Sequence, residues 1–287
     1  MNEIKYWLHA ITPIHAGAGR GLGYIDMPIA REKVTAWPYI PGSSIKGVIA
    51  DHFGASDEDT RRKEENRVLK AAFGTSGSDN DCAAGALVFT DANILCIPIR
   101  SFYGTFAWVT SPFCLKRTGT AENLPGFPQD SDAFITDDSK LAGDDGKIYL
   151  EDLDISAQKI SQAGRIADEI AASVFGDNQE WRKIFAERFV IVSDDLFTFL
   201  CESGTEVNAH IRINSKTGIV DTGALWYEES LPVETVLTGR VWCDKVFVDG
   251  VTAADLFERF CGKNLTLQIG GKASTGKGLV RCVFGSR

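Results

Sequence analysis

Gly270-Gly271-Lys272-Ala273-Ser274-Thr275-Gly276-Lys277-Gly278 sets four glycines and two lysines in nine residues, directly before Leu279-Val280-Arg281-Cys282-Val283-Phe284, which alternates like a strand. Glycines let a backbone turn with positive φ and approach a ligand closely, and lysine ammoniums with free N–H groups supply donors for phosphate. The obvious fold for such a loop is a nucleotide-binding strand-loop-helix. Gly271-x-x-x-x-Gly276-Lys277 opens that motif, but the magnesium-binding Ser or Thr is replaced by Gly278, and a strand follows where a helix is required. The second glycine series, Gly17, Gly19, Gly21 and Gly23, imitates a dinucleotide fingerprint and fails likewise, because Tyr24-Ile25-Asp26-Met27-Pro28 does not open a helix. Both failures weigh against a stand-alone nucleotide-dependent enzyme. A phosphodiester backbone suits the terminal loop better than ATP does.

A net charge of −9 over 287 residues argues at first against a polyanionic partner. The distribution reverses that reading. Lys263 to Arg287 holds five basic residues and no acid, whereas Ala121 to Ile160 holds ten acids against three lysines. Local potential decides polyanion binding, so an acidic flap elsewhere is compatible with it. The seven cysteines show no Cys-x-x-Cys spacing and read as thiols of a reducing cytoplasm, outside a zinc site or disulfide framework. No apolar run approaches the roughly 18 residues of a membrane span, and the N-terminal residues lead straight into a strand, so a cytoplasmic, globular chain without membrane association is expected.

Along the chain, Glu3 to Thr12 alternates as a strand, and Ser43 or Ser44 is expected to cap a helix through Phe53. Ser56 to Phe73 reads as one charged helix, Ala86 to Ile99 as extended, and Thr118 to Gly146 as a mobile acidic insertion. Helices are expected over Ala157–Phe175, near Asp194 and over Ala253–Cys261. Val207 to Ile213 and Ile219 to Trp226, about Asn214-Ser215-Lys216-Thr217-Gly218, predict a hairpin. Strands interspersed with single helices give an α+β class, a ferredoxin-like core decorated by insertions, as one domain over residues 1–287.

Four segments in order resemble the RAMP superfamily, specifically the repeated backbone subunit of type III-B (Cmr) CRISPR effector complexes. They are Leu8 to Gly17; Gly23 to Glu32 continued by Tyr39-Ile40-Pro41-Gly42-Ser43-Ser44-Ile45-Lys46-Gly47; Gly223 to Pro232; and the terminal glycine loop. The resemblance implies an RRM-like palm, a hairpin thumb at about 207–226, and copies stacked along a guide (CRISPR) RNA. It also implies cleavage of single-stranded target RNA paired to that guide at regular intervals, among other subunits of the Cmr complex. A binding scaffold of the same superfamily without nuclease activity is the alternative.

Cleavage through the 2′-hydroxyl needs alignment, proton transfer and stabilisation of phosphorane charge. Asp26, on an irregular segment between Gly23 and Pro28, matches the family's catalytic aspartate. A carboxylate with a reference pKa of about 3.9 is a weak base, so binding a divalent metal, Mg2+ or Mn2+, or positioning stands beside direct proton abstraction. An Asp that merely closes a turn is the structural reading. His15, ending the first strand, could act as acid, base or phosphate donor, or be structural. Glu228 is the third candidate catalytic group, with Tyr227 and Glu229 on the opposite face of an extended strand. For RNA binding the candidates are Ser43, Ser44 and Lys46 at a helix start, Lys272, Ser274, Thr275 and Lys277 in the loop, and Arg20 and Arg31 along a groove.

Overall fold

The computed structural model describes residues 3–19, 21, 23–76, 82–120, 126, 128–214 and 216–285. From the N-terminus, β1 (Glu3–Ala10) and the short β2 (Tyr39–Ile40) precede α1 (Gly42–His52), α2 (Glu58–Arg62) and α3 (Arg67–Phe73). A small pair, β3 (Gly74–Thr75) and β4 (Ala83–Ala84), leads to β5 (Leu87–Phe89), β6 (Ala92–Arg100), β7 (Phe106–Thr110) and α4 (Pro112–Thr118). Then come β8 (Asp132–Ile135), β9 (Lys147–Leu150), β10 (Leu153–Lys159), α5 (Ser161–Phe175), α6 (Gln179–Ala186), β11 (Phe189–Val192) and α7 (Asp194–Ser203). The chain closes with the hairpin β12 (Glu206–Ile213) and β13 (Val220–Ser230), β14 (Val236–Cys243), α8 (Ala253–Cys261), β15 (Leu265–Gln268) and β16 (Leu279–Phe284). The class is mixed α+β.

One mixed sheet runs in the order β15-β16-β1-β14-β6-β7-β11-β8-β10-β9, with β2 beside β6 and β5 beside β14. Third in this order, β1 is antiparallel to both β14 and β16, so Trp7 lies between Thr238 and Val283. The alternation in β1 fixes its faces. Ile4, Tyr6, Leu8 and Ala10 are buried, and Tyr6 donates to the Thr90 carbonyl at 2.7 Å while its ring packs on Phe89. His9, on the other face, packs edge-on against Phe175 of α5 and Trp181 of α6. Both sheet faces are therefore covered by helices. On the first, α8 is set by a Thr252–Asp255 capping box and drives Phe260 between Phe53 and Phe73, with ring centroids 4.9 and 5.0 Å away.

Three expectations are corrected. Helix α1 is not capped by Ser43 or Ser44, which lie in its exposed first turn; Pro41 is the N-cap, and Asp91 Oδ1 accepts from the Gly42 N–H at 2.8 Å. The single helix over Ser56–Phe73 is broken at Lys63, whose extended backbone separates α2 from a 3-10 turn and α3. Third, the acidic segment is no mobile flap over residues 128–146. Asp132–Ile135 pairs with β10 and β11, and Ala133, Ile135 and Leu141 are fully buried. This short apolar run was masked by its Gly, Asp and Ser surroundings. Helix α6, capped by Asn178, was not foreseen. No helix among the described residues is long and apolar enough to cross a membrane, and the seven cysteines are free thiols.

Candidate functional site

A cleft of about 1020 Å³ opens where the residues after β1, the β15–β16 glycine loop and the β12–β13 hairpin meet. Its lining includes His15, Gly17, Asp26, Arg212, Trp226, Gly271 and Lys272.

The glycine loop is built onto the extension of β1. Gly271 N–H donates to the His15 carbonyl at 2.9 Å and Gly278 N–H to the Pro13 carbonyl at 2.7 Å. Gly270 and Gly278 have φ of +84°, and a Cβ there would fall 2.4 Å from the His15 carbonyl oxygen and 2.1 Å from that of Ile269. Only glycine permits both the conformation and the approach. His15 itself is buried. Its Nδ1 lies 2.7 Å from the Glu229 carbonyl oxygen. A carbonyl can only accept, so Nδ1 carries the proton and Nε2 faces Gly17, where a Cβ would come within 2.9 Å.

Asp26 is exposed at the cleft wall. Its segment is bound to the base of the hairpin: Tyr227 N–H donates to Asp26 Oδ2 at 2.8 Å, Met27 N–H to the Tyr227 carbonyl at 3.0 Å, and Glu229 N–H to the Met27 carbonyl at 3.0 Å. One carboxylate oxygen is thereby fixed by strand backbone, and the other has no hydrogen-bond partner among the described residues.

Glu228 does not behave as the free carboxylate expected of a catalytic group. Its side chain is 1% exposed and takes Lys277 Nζ at 2.8 Å on Oε1 and Lys272 Nζ at 3.1 Å on Oε2. Burial alone would raise its pKa, but the Lys277 and Lys272 ammoniums outweigh it and hold the carboxyl below its ordinary value. Lys277 also donates to Ser230 Oγ at 2.8 Å. Glu228 therefore organises the loop lysines, and of the two only Lys272 borders the cleft. Ser274 and Thr275 sit exposed at the loop tip, with the Thr275 hydroxyl donating to the Lys272 carbonyl at 2.9 Å.

Arg31 is likewise corrected. Its guanidinium turns inward to Glu229 Oε1 at 2.6 Å and to the carbonyls of Ala36 and Cys201 at 2.8 and 3.1 Å, so it braces the palm and is not a groove cation. Glu229, on the face opposite Glu228 as expected, completes this brace through Ile29 N–H and Thr205 Oγ1. Arg20 lies outside the described residues. Ser43, Ser44 and Lys46 do not line the cleft; burial and then the nearby Arg61 charge lower the Lys46 pKa.

Among the described residues no three His, Cys, Asp or Glu side chains converge to hold a metal ion. Asp26 offers a single carboxylate, and Glu228 is already neutralised. An all-protein metal cage does not fit this donor set, whereas Mg2+ commonly uses one carboxylate with substrate phosphates and water.

Sequence reasoning missed Arg212 and Trp226. Both sit on the hairpin: the register Asn208↔Glu228 and His210↔Trp226 sets Trp226 on the face of Glu228, and Arg212, at a register shift between Ile211 and Ile213, borders the same cleft. Period-2 alternation held the signal, but it was usable only once the pairing register was known.

The RAMP superfamily profile matches residues 7–281. The chain is 34% identical over 283 residues to the CRISPR system Cmr endoribonuclease Cmr4 of Pyrococcus furiosus, covering 96% of this chain and 92% of that protein. A solved structure of oligomeric Cmr4 from Pyrococcus furiosus superposes with a TM-score of 0.70 at 25% identity, covering 99% and 98% of the two chains. A chain in a type III-B Cmr-beta complex bound to cognate target RNA shares the fold at a TM-score of 0.73, 18% identity and coverage of 99% and 97%. The chain belongs to the RAMP superfamily and, within it, to the Cmr4 family.

Proposed function

We propose that this chain is a guide-RNA-binding backbone subunit of a type III-B CRISPR effector complex and an endoribonuclease that cleaves guide-paired single-stranded target RNA. The Pyrococcus furiosus relative bears the name endoribonuclease. The observation that carries the reading for this chain is Asp26, an exposed carboxylate held by Tyr227 N–H beside a glycine-loop cleft. In the reaction the 2′-oxygen attacks phosphorus, the P–O5′ bond breaks, and the proton passes from the 2′-hydroxyl toward the leaving O5′. The free Asp26 oxygen orients and accepts from the 2′-hydroxyl, His15 Nε2, the lone-pair nitrogen of the ring, takes up a proton and hands it to the leaving O5′, and Lys272 offsets charge on the phosphorane. A divalent ion, Mg2+ or Mn2+, would take Asp26 as its one protein ligand and supply charge stabilisation.

The central strands also fit a ferredoxin-like palm. Taken as the sequence β1, α1, β5 with β6, β14, α8, β16, they stand in the spatial order fourth, first, third, second, all antiparallel, with β7 through β13 inserted. The hairpin β12–β13 is then the thumb, which reaches toward a further copy on the same guide RNA. Ser43, Ser44, Lys46, Ser274 and Thr275 fit contacts to RNA phosphates, and a cytoplasmic complex with other Cmr subunits is the setting.

Asp26→Asn tests the reading, because the amide oxygen can still accept from Tyr227 N–H while the charge is lost. Single-turnover cleavage should fall by at least about 100-fold, as for loss of a general base, with guide and target affinity unchanged. Normal cleavage by the variant rejects Asp26 as the catalytic group, and cleavage by no form of the chain favours the scaffold alternative. The same assay with and without divalent metal tests the ion.

A further inference from the structure

The hairpin face toward the cleft carries an aromatic pair whose role the cleavage chemistry does not use. His210 and Trp226 are register partners, and their rings stack with centroids 5.6 Å apart and planes 16° from parallel. Trp226 also lines the cleft, with Arg212 and Asp26. His210 thus backs an indole that borders the cleft. The indole Nε1 is buried and has no hydrogen-bond partner among the described residues, so stacking rather than a polar anchor orients the ring. The next residue along the strand, Tyr227, fixes Asp26 through its N–H. Stacking surface and carboxylate are therefore registered to each other through one peptide unit.

This arrangement meets a requirement of the reaction. A nucleotide inside a helical stack holds its 2′-oxygen out of line with its own P–O5′ bond, so the reacting nucleotide must be splayed before attack. An aromatic face stabilises a splayed base without regard to its identity, and a nearby guanidinium takes the displaced backbone. We infer that Trp226, backed by His210, is the stacking platform for the unpaired nucleobase at the scissile phosphate, with Arg212 on the adjoining phosphate. The inference rests on the cleavage reading above. Trp226 acts as a positioning residue: it sets the nucleotide against Asp26 and touches no transferring proton.

The test uses the chain loaded with guide RNA and target RNAs carrying either 2-aminopurine or an abasic ribonucleotide, 2′-hydroxyl retained, at the nucleotide 5′ to the mapped cut. Stacking on an aromatic side chain is worth a factor of about 5 to 150 per base. Trp226→Ala should slow single-turnover cleavage by that factor while target affinity moves by less than about threefold, and Trp226→Phe should recover most of the rate. The abasic target should slow the wild-type chain by the same factor and slow Trp226→Ala no further. In the wild type 2-aminopurine fluorescence should be quenched, and in Trp226→Ala it should brighten. Independent, multiplying effects of the two changes overturn the inference, as does an abasic target cut at the normal rate by the wild type. Should no target be cut at all, the cleavage reading fails, and the fluorescence comparison alone still decides whether Trp226 holds the base.

Discussion

Glu228→Gln separates a carboxylate that organises charge from one that performs chemistry. The change keeps side-chain volume and leaves two ammoniums, 2.8 and 3.1 Å away, facing a neutral amide. Removing one member of a buried ion pair costs about 3–5 kcal/mol where the orphaned charge cannot escape. Here it can in part: the Lys272 side chain is 31% exposed and that of Lys277 14%, and a long stem can swing its ammonium to water. The expected loss is therefore about 2–3 kcal/mol, or roughly 4–10 °C in melting temperature for a chain of this size. The pH dependence has a definite sign. The folded pKa of Glu228 is depressed, so its contribution is full above the ordinary glutamate range and disappears as pH falls through the folded value. The gap between wild type and variant should thus be widest near neutrality and close in acid. Freeing the lysines should also steepen the salt dependence of RNA binding by up to about 0.7 per released charge. Thermal melts at pH 7.5 and 4, salt titrations of RNA affinity and single-turnover cleavage measure all three. A variant with unaltered melting and salt slope that no longer cuts RNA would refute the clamp and return Glu228 to the chemistry.

Arg31→Met should lower stability by about 3 kcal/mol, since it leaves the buried Glu229 carboxylate without its cation, with only Ile29 N–H and Thr205 Oγ1 as donors, and removes the guanidinium from the Cys201 carbonyl; chemical denaturation measures this, and an unchanged salt slope for RNA separates it from a groove cation. Gly17→Ala brings a Cβ to 2.9 Å from His15 Nε2 and should tilt the imidazole. Cleavage should drop by about tenfold or more with little change in melting temperature, as expected of a small misplacement at a reacting group; unaltered cleavage would remove His15 from the site.

Much of the fold was legible because its signals are local. The alternation in β1, the hairpin with its Asn214-to-Gly218 turn, and Ala253–Cys261 are where the residue pattern puts them. Pairing is not local, and the misses follow from that. Nothing near Asp132 says that four residues in a polar stretch will be stapled between β10 and β11, because the partners lie about 20 and 60 residues away in the chain. The site divides along the same line. Asp26 is named through the family resemblance and His15 through its place at the end of the first strand, yet the meaning of Glu228, Lys277 and Arg31 depended on which charge each one meets. A sequence lists charges without their partners, so three residues read as reagents or RNA contacts turned out to belong to two internal charge clusters, Glu228 with Lys272 and Lys277, and Arg31 with Glu229.

The same accounting explains how a chain of net charge −9 can offer a site to a polyanion. Sheet order sets strands β8 to β10, which belong to the acid-rich stretch of the chain, at one end, with β14, β6, β7 and β11 between them and the β1–β16 pair that supports the cleft. At roughly 4.8 Å per strand that separation is about two Debye lengths or more at physiological salt, so the acidic end is largely screened from the RNA. At the cleft, Glu228 cancels one of the two loop lysines and leaves a single net positive charge beside Arg212, while Glu229 is consumed by Arg31. Asp26 then remains as the carboxylate lining the cleft with an oxygen to spare. On the proposed reading of Asp26 as a weak base, that isolation matters: with its competitors neutralised and one oxygen held by the backbone of the strand that carries Trp226, its other oxygen would be aimed at one 2′-hydroxyl.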